Sequence, residues 1–226
     1  MSRLQIIETG DGSHTLLNAD LDETYHSRHG ALRESKHVFI QHGLHYWLST
    51  HTSSSSVRIL EVGLGTGLNA WLTLLEADKL AQVQFEYTAL EPHPVESAMI
   101  QQLNYVQQST LAEKKHFEAI HQADWNQPQT LLGNFILNKQ TIKLEELDDR
   151  QAFDVIYYDA FAPNKQPELW EKPIIEKVTN LLAPTGVWVT YSAKGQLKRD
   201  LKSLGLQVET LPGPPGKAEM VRAIKL

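Results

Sequence analysis

Apolar positions along this chain fall into two regimes, divided by a run of serines from Ser53 to Ser56. Before the serines, Leu4, Ile6 and Ile7 on one side and Leu16 and Leu17 on the other flank Gly10-Asp11-Gly12. Apolar stretches around a glycine-rich turn predict a β-hairpin. Val38, Ile40, Leu44, Trp47 and Leu48 then recur near helical spacing, which predicts a helix over residues 36–48. A hairpin and one helix bury too little to stand alone. Residues 1–56 therefore read as an extension packed on a main domain, residues 57–226.

Beyond the serines the pattern alternates. Val57–Val62, Phe85–Leu90, Phe153–Tyr158 and Val187–Tyr191 are short apolar runs expected to be buried strands. Leu68–Leu80, Val95–Val106, Glu168–Leu182 and Leu197–Leu204 have helical spacing. Phe117–Ile120 reads as a short strand, and Phe135–Leu137 with Ile142–Leu147 as a hairpin turning at Asn138-Lys139. Leu206–Leu211 and Met220–Leu226 are strands on either side of a Pro-Gly-Pro-Pro-Gly loop. Strands alternating with helices predict an α/β fold with a mostly parallel sheet and right-handed crossovers. The last two strands predict an antiparallel edge pair.

Composition narrows the chemistry. The 226 residues suit one domain with an appendage. With no cysteine, disulfides, iron–sulfur clusters, Cys-ligated zinc and a thiol nucleophile are excluded. Six of the ten histidines lie between His26 and His51, but without the H-E-x-x-H spacing of a zinc hydrolase. They read as structural or surface residues, and no metal is expected. The start lacks the apolar run of a secretory leader, and no stretch approaches 18 apolar residues, so a cytoplasmic location is expected.

In open α/β sheets, ligands sit beyond the carboxyl ends of the strands. Glu61-Val62-Gly63-Leu64-Gly65-Thr66-Gly67-Leu68-Asn69 leaves a strand and opens a helix. Its G-x-G-x-G spacing is neither the dinucleotide fingerprint nor a P-loop. An acid just ahead of the glycines would repel a pyrophosphate and suit a cationic ligand, which favours S-adenosylmethionine over NAD. Glu91 ends the next strand, where a carboxylate can accept both ribose hydroxyls. Asp159 ends the strongest strand and is placed to orient an amine or take its proton. Two pairs compete for the base-binding position, Asp124-Trp125 and Gln140-Thr141.

These residues together resemble the tRNA 5-(aminomethyl)-2-thiouridine methyltransferases, known as stand-alone MnmD enzymes and as the methyltransferase half of MnmC. The resemblance rests on Asp22-Glu23-Thr24-Tyr25-His26-Ser27, Gly30-Ala31, Glu34-Ser35, His37 to Ile40 and the glycine loop. Its most specific stretch is Asp159-Ala160-Phe161-Ala162-Pro163-Asn164-Lys165-Gln166-Pro167-Glu168-Leu169-Trp170. Ser192-Ala193, Pro215-Gly216-Lys217 and Glu219-Met220 also fit.

The resemblance implies a Rossmann-like class I methyltransferase fold, S-adenosylmethionine as methyl donor, and the aminomethyl group of a wobble uridine in tRNA as acceptor. It implies cofactor contacts from Tyr25, Glu61, Gly63, Gly65, Thr66, Gly67, Asn69, Glu91 and Asp159, with Gln140 and Thr141 standing where the family often has Gly-Asp. Tyr25 and Ser27 would belong to an arm closing over the cofactor. Asp159 would be the catalytic acid beside the transferred methyl. Phe161, Pro163, Lys165, Lys194 and Lys217 would face the substrate. The flavin-dependent oxidase half of MnmC has no counterpart here, so a separate protein would supply the aminomethyl uridine. A small-molecule amine methyltransferase and a non-catalytic nucleotide-binding module are the alternatives.

The net charge of −6 weighs against general nucleic-acid binding. Residues 190–226, however, carry seven basic and three acidic side chains, against 14 and 24 in the rest. A basic C-terminal face is expected, built from Lys194, Lys198, Arg199, Lys202, Lys217, Arg222 and Lys225. Arg28, Arg33, Lys36 and Lys165 would assist near the site mouth.

Overall fold

A computed structural model describes residues 3–107, 110–148 and 152–226. The expected hairpin is present: β1 (Leu4–Glu8) pairs antiparallel with β2 (His14–Asn18), and β2 with the short β3 (Glu23–Thr24). The expected helix is longer than predicted. It starts as α1 (Ala31–Ser35), widens into a π-helical stretch over Lys36–His45, and ends as α2 (Tyr46–Thr50). Val38, Phe39, Leu44 and Trp47 on it are buried.

The strands β4 (Ser56–Val62), β5 (Gln84–Leu90), β6 (Gln129–Leu132), β7 (Phe135–Gln140), β8 (Phe153–Tyr158), β9 (Leu182–Thr190), β10 (Leu206–Pro212) and β11 (Glu219–Lys225) form one sheet. Its order is β10-β11-β9-β8-β4-β5-β7-β6. The five inner strands β9, β8, β4, β5 and β7 run parallel, and β10, β11 and β6 pair antiparallel at the edges. Strand order reverses at β4, which has β5 on one side and β8 on the other. Ligands in such sheets bind at that crevice.

Neighbouring residues of the inner strands point to opposite faces. Ile59, Val155, Tyr157 and Val189 enter one core, and Leu60, Ile156, Tyr158 and Trp188 the other. The first core takes in the α1–α2 run, α3 (Leu68–Lys79) and α5 (Leu111–Gln122). The second takes in α6 (Lys172–Leu181) and α7 (Gly195–Ser203).

The arm is fitted closely to the sheet. A Cβ on Gly43 would lie 3.0 Å from Val189 Cγ2 and 3.1 Å from Tyr157 Cε1. The Phe39 and Tyr157 rings pack at 5.3 Å, and the Arg222 guanidinium lies 3.5 Å above the Tyr46 ring.

Three elements differ from the sequence reading. Phe117–Ile120 lies within α5, not in a strand. The helix is started by a capping box in which Thr110 accepts from the Glu113 N–H and Glu113 accepts from the Thr110 N–H. The hairpin partner of β7 is β6, and Ile142–Leu147 holds only a 3₁₀ turn, Leu144–Glu146. Gly133-Asn134 makes the turn because the Asn134 amide donates to the carbonyls of Ala77, Leu80 and Val83. The helix expected over Val95–Val106 shrinks to α4 (Ser97–Ile100). No helix among the described residues is long and apolar enough to cross a membrane.

Trp47 is 3% exposed and stacks on His51 at 4.5 Å. Trp47→Ala is expected to cost about 3–5 kcal/mol of unfolding free energy. Urea unfolding should remain a single transition by fluorescence and by circular dichroism. A separate early phase for the arm would show that it folds independently.

Candidate active site

The carboxyl ends of β4, β5 and β8 meet the arm around a cavity of about 1400 Å³. Single small-molecule sites commonly measure about 300–1,000 Å³. There is room here for a donor and an acceptor side by side.

The glycine loop forms one wall. The Gly63 and Leu64 N–H groups both donate to Leu90 O, and the Asp159 N–H donates to Val62 O, which draws the three strand ends together. Gly63 and Gly65 have φ of 91° and 52°. A Cβ at Gly63 would meet Asp159 O at 2.8 Å, and one at Gly65 would meet the Tyr25 ring at 2.9 Å. Only glycine fits there.

Glu91 follows β5 in the cavity wall. Its Oε2 accepts the Gly65 N–H at 2.9 Å and its Oε1 the His93 N–H at 3.0 Å. Each oxygen keeps acceptor capacity for a hydroxyl. Burial pushes this carboxyl up from its ordinary range.

Glu61 does not reach the cavity. It is fully buried behind the loop, accepting from Asn69 Nδ2 at 2.9 Å and Tyr87 OH at 2.8 Å. Burial, and then the Asp159 charge, hold its carboxyl well above the usual range. The same Asn69 amide donates to Asp159 Oδ2 at 2.8 Å, while buried Asn69 Oδ1 has no partner among the described residues. Gly67 N-caps α3 and, like Asn69, lies behind the cavity surface.

Asp159 opens onto the cavity. Burial, then the Glu34 carboxylate, push it up to about 8 against the Asn69 bond and the Lys217 ammonium. Aromatic side chains crowd this end. Tyr25 and Phe161 meet edge-on at 5.0 Å, and Tyr191 donates to Ala160 O at 2.8 Å. All three line the cavity, as do His26, Ser27 and Thr66.

Other sequence candidates are placed elsewhere. Thr141 bonds Asn126, Gln140 O accepts the Glu91 N–H, Asp124 bonds Gln129, and Trp125 lies under the Lys139 ammonium. None of these four lines the cavity; Ile142 and Leu144 do. Pro163 and Lys194 line a smaller hollow next door, which Lys217 shares. Lys165 is turned to the arm, donating to Leu21 O at 2.9 Å. The expected basic face is thinner than the sequence implies. Lys198 pairs with Glu219, Lys217 with Glu34 and Arg222 with Glu209, and Lys225 donates to the carbonyls of Thr179 and Leu182. Lys194, Arg199 and Lys202 stay exposed, with Arg28, Arg33 and Lys36 of the arm. Among the described residues, no group of three or more His, Cys, Asp or Glu side chains is set to hold a metal.

The cavity wall fits S-adenosylmethionine: a carboxylate at the end of β5 with acceptor capacity left for hydroxyls, and a loop whose glycines bring backbone to the cavity surface beside Tyr25. An open α/β sheet with this loop at its switch point defines a nucleotide-type cofactor site. Residues 99–226 match a family described as S-adenosyl-L-methionine-dependent methyltransferase, and the chain belongs to that family. It is 28% identical over 221 residues to the tRNA 5-methylaminomethyl-2-thiouridine biosynthesis bifunctional protein MnmC of Ralstonia nicotianae, covering 92% of this chain and 33% of that protein. The like-named protein of Pseudomonas savastanoi pv. phaseolicola is also 28% identical, over 90% of this chain and 32% of its own length. The chain thus spans about a third of the length of the curated relatives it matches. Among solved structures, MnmC2 from Aquifex aeolicus shares the fold with a TM-score of 0.80 and 24% identity, over 99% of this chain and 70% of that one.

The raised Asp159 has a consequence for stability. Because its folded pKa lies above the ordinary value of 3.8, the folded form is favoured most below that value and loses ground as pH rises towards about 8. Asp159→Asn should therefore melt close to the parent at pH 4 and roughly 2–8 °C above it at pH 8, the equivalent of about 1–2 kcal/mol. A variant that melts lower across the whole range would contradict this.

Proposed function

We propose that this methyltransferase acts on the aminomethyl nitrogen of the wobble uridine in tRNA, converting 5-aminomethyl-2-thiouridine to 5-methylaminomethyl-2-thiouridine. The observation that carries the reading is Asp159, a carboxyl raised to about 8 that opens onto an aromatic-walled cavity. An amine is inert as a nucleophile while protonated, so an acceptor near neutrality at that spot suits amine chemistry. The names of the MnmC relatives concern the same nucleoside.

Bound S-adenosylmethionine supplies an electrophilic methyl group, so the protein's task is mainly proximity and orientation. In this reading Glu91 holds the ribose hydroxyls, and the backbone of Gly63 to Thr66 lies along the cofactor. Asn69 keeps Asp159 in place, and Asp159 orients the amine and takes one proton from it. Phe161, Tyr25 and Tyr191 exclude water and offer faces for a base drawn out of its stack. Residues 1–56 act as an extension that covers the catalytic unit, residues 57–226. A separate oxidase or modification complex supplies the aminomethyl uridine.

Labelled S-adenosylmethionine with tRNA from cells lacking this methylation should put label into a nucleoside. Label only in small amines would favour a small-molecule methyltransferase, and no transfer a binding module. Asp159→Ala should lower turnover by roughly 10²–10⁴-fold while changing cofactor affinity far less. Lys194→Glu combined with Arg199→Glu should raise the apparent KM for tRNA and flatten its salt dependence. An unchanged KM would remove this face from the RNA contact.

A further inference from the structure

Among the carboxylates that line the cavity is a deeply buried one for which the reaction as described has no task. Glu34, on α1, is 4% exposed yet lines the cavity. Its Oε2 accepts the Ser27 N–H at 2.6 Å, and its Oε1 lies 2.5 Å from Lys217 Nζ. Lys217 comes from the proline-rich loop between β10 and β11, far away in sequence, and its ammonium rests 3.7 Å from the centre of the Tyr191 ring. Glu34, Lys217, Tyr191 and Asp159 all face the same space.

A buried ion pair between the arm and a loop can be a mere strut, and such pairs are poor stabilisers compared with apolar packing. This pair sits beside the proton acceptor. A lysine ammonium is a flexible point charge. Released from Glu34, it has two other carboxylates near the Tyr191 ring at this cavity end, Glu23 of β3 and Asp159, and of these Asp159 already feels its charge. The two partners also act on Asp159 in opposite senses, Glu34 raising its pKa and Lys217 lowering it. The remaining groups that face Asp159 are Asn69 from α3, Glu61 from β4, Tyr87 from β5 and Tyr191 after β9.

We propose that Glu34 is a positioning residue for the proton acceptor: it holds the Lys217 ammonium against the Tyr191 ring and so keeps the Asp159 carboxylate free to take the proton of an incoming primary amine. The proposal rests on Asp159 being that acceptor.

The test uses the full chain labelled with ¹³C at the Asp carboxyl, without cofactor. The Asp159 signal is identified by its loss in Asp159→Asn. In the parent its midpoint should lie at about 8. Glu34→Gln should move it to lower pH, raising the ionisation constant at least roughly tenfold, and Glu34→Gln with Lys217→Met should bring it back up. Lys217→Met alone should move it the other way, which keeps the test open if Glu34→Gln folds poorly. Methyl transfer to unmethylated tRNA should fall roughly tenfold in Glu34→Gln and largely recover in the double variant, with S-adenosylmethionine binding retained in both. A strut would give no such rescue. An unmoved midpoint in Glu34→Gln, or a double variant no more active than the single, overturns the proposal. Full turnover by Asp159→Asn overturns the reading of Asp159 and this proposal with it. Loss of turnover there, together with an unmoved Glu34→Gln titration, overturns this proposal alone.

Discussion

One amide group holds the site together. Asn69, in the first turn of α3, donates from a single nitrogen to Glu61 of β4 and to Asp159 beyond β8. Two buried carboxyl groups so close repel each other: Glu61 rises in pKa through burial and then the Asp159 charge, and Asp159 through burial and then the Glu34 charge. The shared donor makes their proximity tolerable. It also ties the start of α3 to the ends of two parallel strands at the point where strand order reverses. The glycine loop between β4 and α3 is spanned by this link, so its course follows from where Glu61, Asn69 and Asp159 must meet.

The parts of this arrangement that were legible in the sequence are those with a local signal. The apolar runs before Gly63, Glu91 and Asp159 mark buried parallel strands, and each ends in a residue that the fold delivers to the cavity rim. Other segments had competing signals. Phe117 and Ile120 look like a strand when read alone, but the Thr110–Glu113 capping box commits that segment to helix. Ile142, Leu144 and Leu147 alternate with polar residues like a strand, yet their side chains serve the cavity wall and the second core from a loop.

Pairings across long separations left no trace in the sequence pattern. Glu61 before the glycines looked like a ligand for a cation; its partner Tyr87 lies on the next strand, and the pair turns the acid inward. Basic side chains counted towards that face are taken up by Glu34, Glu209 and Glu219 or by backbone carbonyls, because a half-buried cation needs a partner. Net charge by segment cannot show which charges are already spent inside the fold.

The bond from Lys165 to the Leu21 carbonyl is a small contact with a kinetic meaning. The base of the arm is anchored by Phe39, Leu44 and Trp47, whereas the Leu21 stretch, next to half-exposed β3, meets the far wall through that ammonium and through the edge contact of Tyr25 with Phe161. Segments with few buried apolar contacts open far more often than the core on which they rest. The arm should therefore behave as a hinged flap with a stiff root and a loose tip. Whatever occupies the cavity beneath that tip would then exchange no faster than the tip opens, whatever the speed of the chemistry.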